Sequence, residues 1–109
     1  CSEVNAKGAR VVIGAGCDIA SFVAINVADT HLKTLGLKER GVCRDIYIGR
    51  NVFIGSHCFI GGGTVIGDYS AVGAGSVLMG IRIPPYSLVV GNPPKIKKGY
   101  YRKKILEKT

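Results

Sequence analysis

Residues 48–77 read as five consecutive blocks of six: IGRNVF (48–53), IGSHCF (54–59), IGGGTV (60–65), IGDYSA (66–71) and VGAGSV (72–77). Each block opens with a branched aliphatic residue followed by glycine, and the next aliphatic residue in register is Leu78. The fifth position of the block is always small or β-branched, and its occupants are Val52, Cys58, Thr64, Ser70 and Ser76. A strict internal period outranks local secondary-structure patterns as a guide to the fold.

A period of six matches neither a plain strand, which repeats every two residues, nor a helix, which repeats every 3.6. One inward aliphatic side chain per block fits a short strand followed by a corner, and the glycine after it is expected to permit a corner conformation that a Cβ would oppose. Three blocks close one coil of about 18 residues, and stacked coils pair as parallel strands about 4.8 Å apart. The repeat therefore predicts an all-β coil stabilised by burial between neighbouring turns.

The same register appears earlier in the chain and is then interrupted. Blocks begin at Ile13 and Ile19, and the pattern stops after Ile25 until it resumes at Ile48. Long irregular insertions in compact domains are functional or disordered. We therefore expect a loop of about residues 29–45 to protrude from the coil, whereas residues 1–12 show no clear register.

The C-terminal part leaves the repeat after Leu78. The segment from Leu88 to Gly91 is expected to supply the last strand, and residues 98–109 are expected to form a basic helix or tail. The predicted organisation is thus a β-helix domain over residues 1–97 followed by that tail.

Composition supports one small domain without a conventional globular core. The chain has 109 residues with 16 Gly, 3 Phe, 5 Tyr and no Trp, which leaves few large side chains for such a core. It has no apolar run long enough for a membrane span. Because it opens on Cys1 rather than Met, we expect an upstream portion to be missing.

The net charge of +8 is unevenly distributed. Seven of the fifteen Lys and Arg residues lie between Lys95 and Lys108, which suits a polyanionic ligand or a solvated surface. Nucleic-acid readers interleave aromatic and basic residues on a recognisable module, and Tyr100–Tyr101 is the single such pair here. We therefore expect no nucleic-acid partner.

The four cysteines do not suggest a disulfide framework. Cys17 and Cys58 occupy the small inward position of the repeat, where a thiol behaves as a small hydrophobic group. Cys1 and Cys43 lie outside the repeat. A reduced, cytoplasmic protein is the simpler interpretation.

Of the two histidines, His31 is the candidate for chemistry. It stands where a coil breaks into a loop, and a neutral imidazole can accept a proton from a hydroxyl or an amine at neutral pH. The alternative is an exposed loop histidine. Asp29, two residues earlier, is a candidate for orienting its ring. His57, at the fourth position of a block, is interpreted as a solvated corner residue.

Several segments together resemble the hexapeptide-repeat acyltransferases, closest to the galactoside/maltose O-acetyltransferases and the sugar acetyltransferases of surface-polysaccharide biosynthesis. They are His31 with its loop, residues 48–57 (IGRNVFIGSH), residues 72–77, residues 83–87 (IPPYS) and residues 91–95 (GNPPK). The resemblance implies a single-stranded, left-handed parallel β-helix shaped as a triangular prism, with one protruding loop and a short C-terminal helix. It also implies a homotrimer with its sites between neighbouring prisms.

The resemblance further implies catalytic roles. His31 matches the family's catalytic base, and the backbone N–H of Ser56 would donate a hydrogen bond to the thioester oxygen. Phe53 stands where the family usually has a Trp that lines the acceptor side. The family's acidic sugar-binding position corresponds to Gly8 here, so the acceptor is not read across.

The implied cosubstrate is acetyl-CoA. Ala74 would line the tunnel for the pantetheine arm beside Ser56, and Met79 falls where relatives carry a coenzyme-contacting Thr. Lys95 and Lys98 match basic positions that hold the coenzyme phosphates.

The predicted function is therefore acetyl-CoA-dependent O-acetylation of a sugar or sugar-nucleotide acceptor, by direct transfer without a metal. An N-acetyltransferase acting on a nucleotide-linked amino sugar and a non-catalytic β-helix scaffold remain open alternatives. A carbonic anhydrase on the same fold needs three zinc-binding histidines, and the chain has two.

Overall fold

The computed structural model describes residues 2–108, which form fifteen short strands and two short helices. The helices are α1 His31–Thr34 and α2 Arg102–Leu106. The strands, in chain order, are β1 Glu3–Asn5, β2 Val11–Ile13, β3 Asp18–Ile19, β4 Ala24–Asn26, β5 Ala28–Asp29, β6 Val42–Cys43, β7 Ile46–Ile48, β8 Phe53–Ile54, β9 Phe59–Gly61, β10 Val65–Ile66, β11 Ala71–Val72, β12 Val77–Leu78, β13 Arg82–Ile83, β14 Leu88–Val90 and β15 Lys95–Lys97.

Three sheets make up the body of the molecule, and their strands are parallel except for β15 at the edge of sheet C. Sheet A has the order β1-β4-β9-β12, sheet B has β13-β10-β7-β2, and sheet C has β15-β14-β11-β8-β3. From β7 to β14 each strand joins the next sheet in the rotation B, C, A, so the chain winds as a coil. This is the topology of a parallel β-helix, and the molecule is elongated, with extents of 53 × 25 × 22 Å.

The repeat sets the register between coils. Ile48 pairs with Ile13 on one side and Ile66 on the other, and Ile54 pairs in the same way with Ile19 and Val72. The first residues of the five blocks and Leu78 are at most 2 % exposed, and so are all five fifth-position residues. The predicted inward column of aliphatic residues is therefore confirmed.

Buried hydroxyl groups also connect the coils. Ser76 Oγ donates to the Gly73 carbonyl at 2.6 Å and accepts the N–H of Gly91, one coil further on, at 3.0 Å. Ser70 accepts the N–H of Ser87 at 3.1 Å in the same manner. Because every such group has a partner, the polar fifth positions are buried without an unsatisfied group.

The reason expected for the glycine after each aliphatic residue needs correction. Left-handed φ angles occur two residues later, at the fourth position, where Asn51, His57 and Tyr69 have φ of 54°, 61° and 58°. At the second position a Cβ would instead meet the backbone of the next coil, 2.6 Å from the Ala74 nitrogen in the case of Gly55. These glycines are therefore required by the close approach of stacked coils.

Two elements at the ends of the chain differ from the expectation. Residues 1–12 were expected to lack a register, yet β1 extends sheet A by pairing with β4, and β2 pairs with β7 in sheet B. The exposed side chains of β1 gave no pattern to detect. The segment from Leu88 is a strand as expected, but it is not the last one, because β15 turns back and pairs antiparallel with β14.

The interruption of the repeat forms a hairpin arm, residues 28–43. β5 and β6 pair antiparallel through Ala28 with Cys43 and Asp29 with Val42, and α1 lies between them. The chain re-enters the coil where the Arg44 N–H donates to the Val27 carbonyl at 3.0 Å. The arm therefore replaces one corner between sheet A and sheet B.

Helix α2 lies within the predicted basic tail, and the tail contacts the body where the Tyr101 N–H donates to the Tyr86 carbonyl at 2.9 Å. In the part of the chain that the structure describes, no helix has the length and apolar character needed to cross a membrane.

Candidate active site

A cleft of about 620 Å³ lies between the hairpin arm and the ends of two strands of sheet A. The arm contributes Asp29 and His31, and the coil contributes Phe59 together with Met79 and Gly80. We call this corner of the coil, where the chain passes from sheet A to sheet B, the arm corner. The cleft therefore brings the candidate base together with one residue of the candidate coenzyme site, Met79.

His31 is held by Asp29 in two ways. Its ring Nδ1 is hydrogen-bonded to Asp29 Oδ1, and its backbone N–H donates to the same oxygen at 3.2 Å. Both side chains stay accessible, at 63 % and 51 % exposure. Because Nδ1 is occupied, Nε2 is the ring nitrogen left to face an acceptor. The predicted pairing of Asp29 with His31 is thus present in the structure.

The electrostatics of this pair favour a charged carboxylate. The hydrogen bond from the His31 side chain, followed by the one from its backbone, lowers the pKa of Asp29 below its usual value. Asp29 is therefore ionised at neutral pH and acts as an acceptor for a proton on Nδ1. A neutral His31 that carries its proton on Nδ1 has its lone pair on Nε2, which is the form that a general base requires.

Met79 is the coenzyme candidate that lies in this cleft. It is 62 % exposed, and its sulfur would lie 3.3 Å from a Cβ placed on Gly61. Sequence reasoning missed the neighbouring Phe59, and it placed the acceptor-side aromatic at Phe53. Both occupy the sixth position of a block, and only the fold of the arm decides that the strand carrying Phe59 borders the cleft.

Ser56 and Ala74 lie at a different corner, where the chain passes from sheet C to sheet A. We call it the Ser56 corner. The Gly75 N–H donates to the Ser56 carbonyl at 2.9 Å, so the turns that carry these two residues are stacked on each other. Below them, the rings of Phe22 and His57 stack at 5.1 Å. Neither Ser56 nor Ala74 lines the cleft of His31 within this chain.

Lys95, Lys98 and Phe53 belong to sheet C or its extension. Lys95 starts β15 opposite Val90, Lys98 follows that strand, and both are exposed. Phe53 is on β8 and 45 % exposed. These three residues therefore do not meet His31 within one chain.

The described residues give little support to catalysis by a metal ion or by a cysteine nucleophile. Between Ser2 and Lys108 no three His, Cys, Asp or Glu side chains are grouped so as to hold a metal ion. Cys17, Cys43 and Cys58 are free thiols. Burial raises the pKa of the Cys58 thiol, which donates to the Gly73 carbonyl at 3.2 Å, so this thiol suits packing rather than nucleophilic attack.

Comparison with known proteins adds the family. Residues 45–80 match the bacterial transferase hexapeptide family, described by six repeats. This part of the chain contains the hexapeptide repeats of that family. No curated protein sequence matches it.

Solved structures similar to this chain include acetyltransferases. A galactoside acetyltransferase in complex with coenzyme A is 32 % identical over 94 % of this chain and 52 % of its own, with a TM-score of 0.79. A maltose O-acetyltransferase from Clostridium difficile 630 is 36 % identical over 81 % of this chain and 47 % of its own, with a TM-score of 0.69. A hexapeptide-repeat acetyltransferase from Vibrio cholerae O1 biovar eltor, complexed with acetyl coenzyme A, is 29 % identical over 89 % and 52 %, with a TM-score of 0.76.

These similarities confirm the resemblance to the galactoside and maltose O-acetyltransferases. The chain spans about half the length of these three solved structures.

Proposed function

We propose that this chain forms the catalytic domain of an acetyl-CoA-dependent O-acetyltransferase whose acceptor is a sugar of the surface-polysaccharide or lipopolysaccharide type. The observation that carries the proposal is the cleft that His31 lines, in which Asp29 binds Nδ1 and leaves Nε2 as the ring nitrogen for a proton from the acceptor. The similarity to a galactoside acetyltransferase that binds coenzyme A supplies the reaction class.

The proposed mechanism is direct transfer. His31 Nε2 takes the proton from an acceptor hydroxyl while the oxygen attacks the thioester carbonyl, and Asp29 stabilises the imidazolium that forms. The backbone N–H of Ser56 donates to the oxyanion of the tetrahedral intermediate. When the intermediate collapses, the carbon–sulfur bond breaks and the imidazolium returns its proton to the coenzyme A sulfur. No metal takes part in this sequence.

The coenzyme would lie along the coils. Ala74 leaves room for the pantetheine arm because its side chain is a single methyl group, and the ammonium groups of Lys95 and Lys98 would pair with the phosphates. The stacking of Ser56 below Ala74 supports this assignment, since both face the same corner. Met79 would contact the coenzyme from the arm corner.

We further propose a left-handed coil that assembles as a homotrimer. Within one chain, Ser56 lies at the corner where the strands of sheet A begin, and His31 lies at the corner where they end. A complete site therefore needs the Ser56 corner of a second copy beside the arm corner of the first. Exposed apolar side chains on the arm, Leu35 at 67 % and Leu37 at 70 %, suit contact with a neighbouring copy. Three free thiols fit a cytoplasmic location.

The test offers acetyl-CoA together with a panel of free sugars, amino sugars and nucleotide-linked amino sugars. Transfer is detected by the release of the coenzyme thiol and by the mass of the product. The proposal predicts a product whose acetyl group is removed by alkaline hydroxylamine, because an ester is labile and an amide is stable. A stable acetyl group would show N-acetylation instead. Absence of both transfer and coenzyme A binding would favour the scaffold alternative.

A further inference from the structure

Arg44 brings a positive charge into the cleft that contains His31. It follows the hairpin arm directly, and its backbone N–H donates to the Val27 carbonyl at 3.0 Å, which fixes where the side chain leaves the coil. The residue is exposed and lines the cleft. Its charge is therefore available to whatever occupies the space in front of His31.

The side chain of Arg44 lies against glycines in the turns that follow β9 and β12. A Cβ placed on Gly63 would lie 3.4 Å from Arg44 Cδ, and one placed on Gly80 would lie 3.9 Å from Nη1. The stem of Arg44 thus lies across the turns that follow β9 and β12, next to Met79. These distances are ordinary van der Waals contacts, so the side chain of Arg44 passes directly over both glycines.

The guanidinium of Arg44 forms no ion pair within 4 Å among residues 2–108, although its charge adds to the hydrogen bonds of His31 in lowering the pKa of Asp29. Arg10 and Arg50 lie beside carboxylates, at 3.7 Å from Asp45 and 3.5 Å from Asp68. Arg44 has neither a carboxylate within 4 Å nor a side-chain hydrogen bond in that part of the chain. The acidic side chain of the same cleft, Asp29, is already hydrogen-bonded to His31.

We propose that Arg44 binds an anionic group, a carboxylate or a phosphate, on the acceptor sugar. The proposal rests on the acetyl transfer proposed above and narrows its substrate class to acidic or phosphorylated sugars. A guanidinium presents a rigid fork of donors that matches both groups with two parallel hydrogen bonds. Binding there would place a hydroxyl of the same sugar in front of His31 Nε2.

The position of Arg44 favours the acceptor over the coenzyme phosphates. Arg44 shares the arm corner with the base, whereas Lys95 and Lys98 lie at the end of sheet C. A cation close to the proton-accepting ring of His31 is placed to bind the molecule that gives up the proton, which is the acceptor. Arg44 would therefore help to select which acceptor binds in the cleft.

The first test compares matched acceptors that differ in one charged group. Galactose, galacturonate and galactose 1-phosphate are each offered with acetyl-CoA to the wild-type protein, to Arg44→Gln and to Arg44→Lys, and kcat/KM is measured by thiol release. Hydrogen bonds to a charged group are worth enough to change kcat/KM by about 10- to 100-fold. We expect this advantage for at least one anionic sugar, its loss in Arg44→Gln, and a smaller loss in Arg44→Lys.

The controls separate this inference from the proposed function. Arg82→Gln removes an exposed arginine of β13 that does not line the cleft, and it should leave all three acceptors unchanged. Equal use of neutral and anionic sugars, unchanged in Arg44→Gln, would overturn the inference and leave acetyl transfer intact. A higher KM for acetyl-CoA in Arg44→Gln, the same with every acceptor, would also overturn it.

A second measurement does not depend on turnover. Inorganic phosphate is titrated into the full chain at constant pH while the ring resonances of His31 are followed by NMR. We expect a saturable shift in the wild-type protein and in Arg82→Gln, and no saturable shift in Arg44→Gln. The same shift in all three proteins would contradict an anion site at Arg44, whether or not a sugar is acetylated.

Discussion

Asp29 is an exposed carboxylate with a specific task, because it accepts a hydrogen bond from both the ring and the backbone of His31. Those two bonds lower its pKa, so its negative charge is complete above the usual value near pH 4 and is lost as the pH falls through the lowered one. The carboxylate therefore supports His31 throughout the neutral range.

Replacement of Asp29 by Asn should lower kcat for acetyl transfer by about 10-fold or more at every pH above 5, because the neutral amide cannot stabilise an imidazolium and can bind the wrong tautomer. KM for acetyl-CoA should change little. Asp68→Asn is the matched control, since Asp68 is paired with Arg50 outside the cleft. An equal effect of both substitutions on kcat would argue against an orienting role for Asp29.

At the scale of the element, each turn is shaped by two different backbone requirements. The second position needs glycine because the next coil lies against it, and the fourth position needs a left-handed φ that Asn51, His57 and Tyr69 all adopt. The pattern of glycines in the sequence marks the contact between coils more reliably than it marks the corner conformation.

These two requirements can be separated by one pair of substitutions. In Gly67→Ala the new Cβ collides with the backbone nitrogen of Pro85 in the next coil, so the free energy of unfolding should fall by about 3 kcal/mol or more. In Gly75→Ala the Cβ meets no atom within 4 Å, and the left-handed φ of 75° alone should cost about 1 kcal/mol. Urea denaturation measures both, and equal losses would contradict the coil-contact explanation.

The elements that could be predicted from the sequence are those whose side chains repeat. The burial of Ile54 and Val72 could be predicted because each residue begins a block. Strand β1 could not be predicted, because all of its side chains are exposed and no aliphatic residue in it continues the six-residue register. The places of Phe59 and Arg44 in the cleft depend on how the hairpin arm folds against sheet A, and the repeat carries no information on the arm.

At the scale of the whole molecule, the candidate residues divide between two corners of the β-helix. His31 and Met79 line the arm corner, where the strands of sheet A end. Ser56 and Ala74 lie at the Ser56 corner, where the strands of sheet A begin. Assembly in a homotrimer would restore one complete site per interface.

This arrangement predicts complementation between inactive variants. His31→Ala keeps the Ser56 corner, and Ala74→Trp keeps the arm corner, so each is inactive alone. Trimers assembled from an equal mixture should regain about a quarter of the wild-type activity, because that fraction of interfaces pairs an intact arm with an intact Ser56 corner. The mixture is unfolded, refolded and assayed. A mixture that stays as inactive as its components would place the whole site within one chain.

The most direct measurement is thiol release from acetyl-CoA by wild type, His31→Ala and Lys33→Ala, with the acceptor that supports the fastest transfer. Lys33 is the matched control because it belongs to the same helical turn and does not line the cleft. We expect a loss of about 100-fold or more in kcat for His31→Ala and a change of less than about 2-fold for Lys33→Ala. Full activity of His31→Ala would contradict the assignment of His31 as the general base.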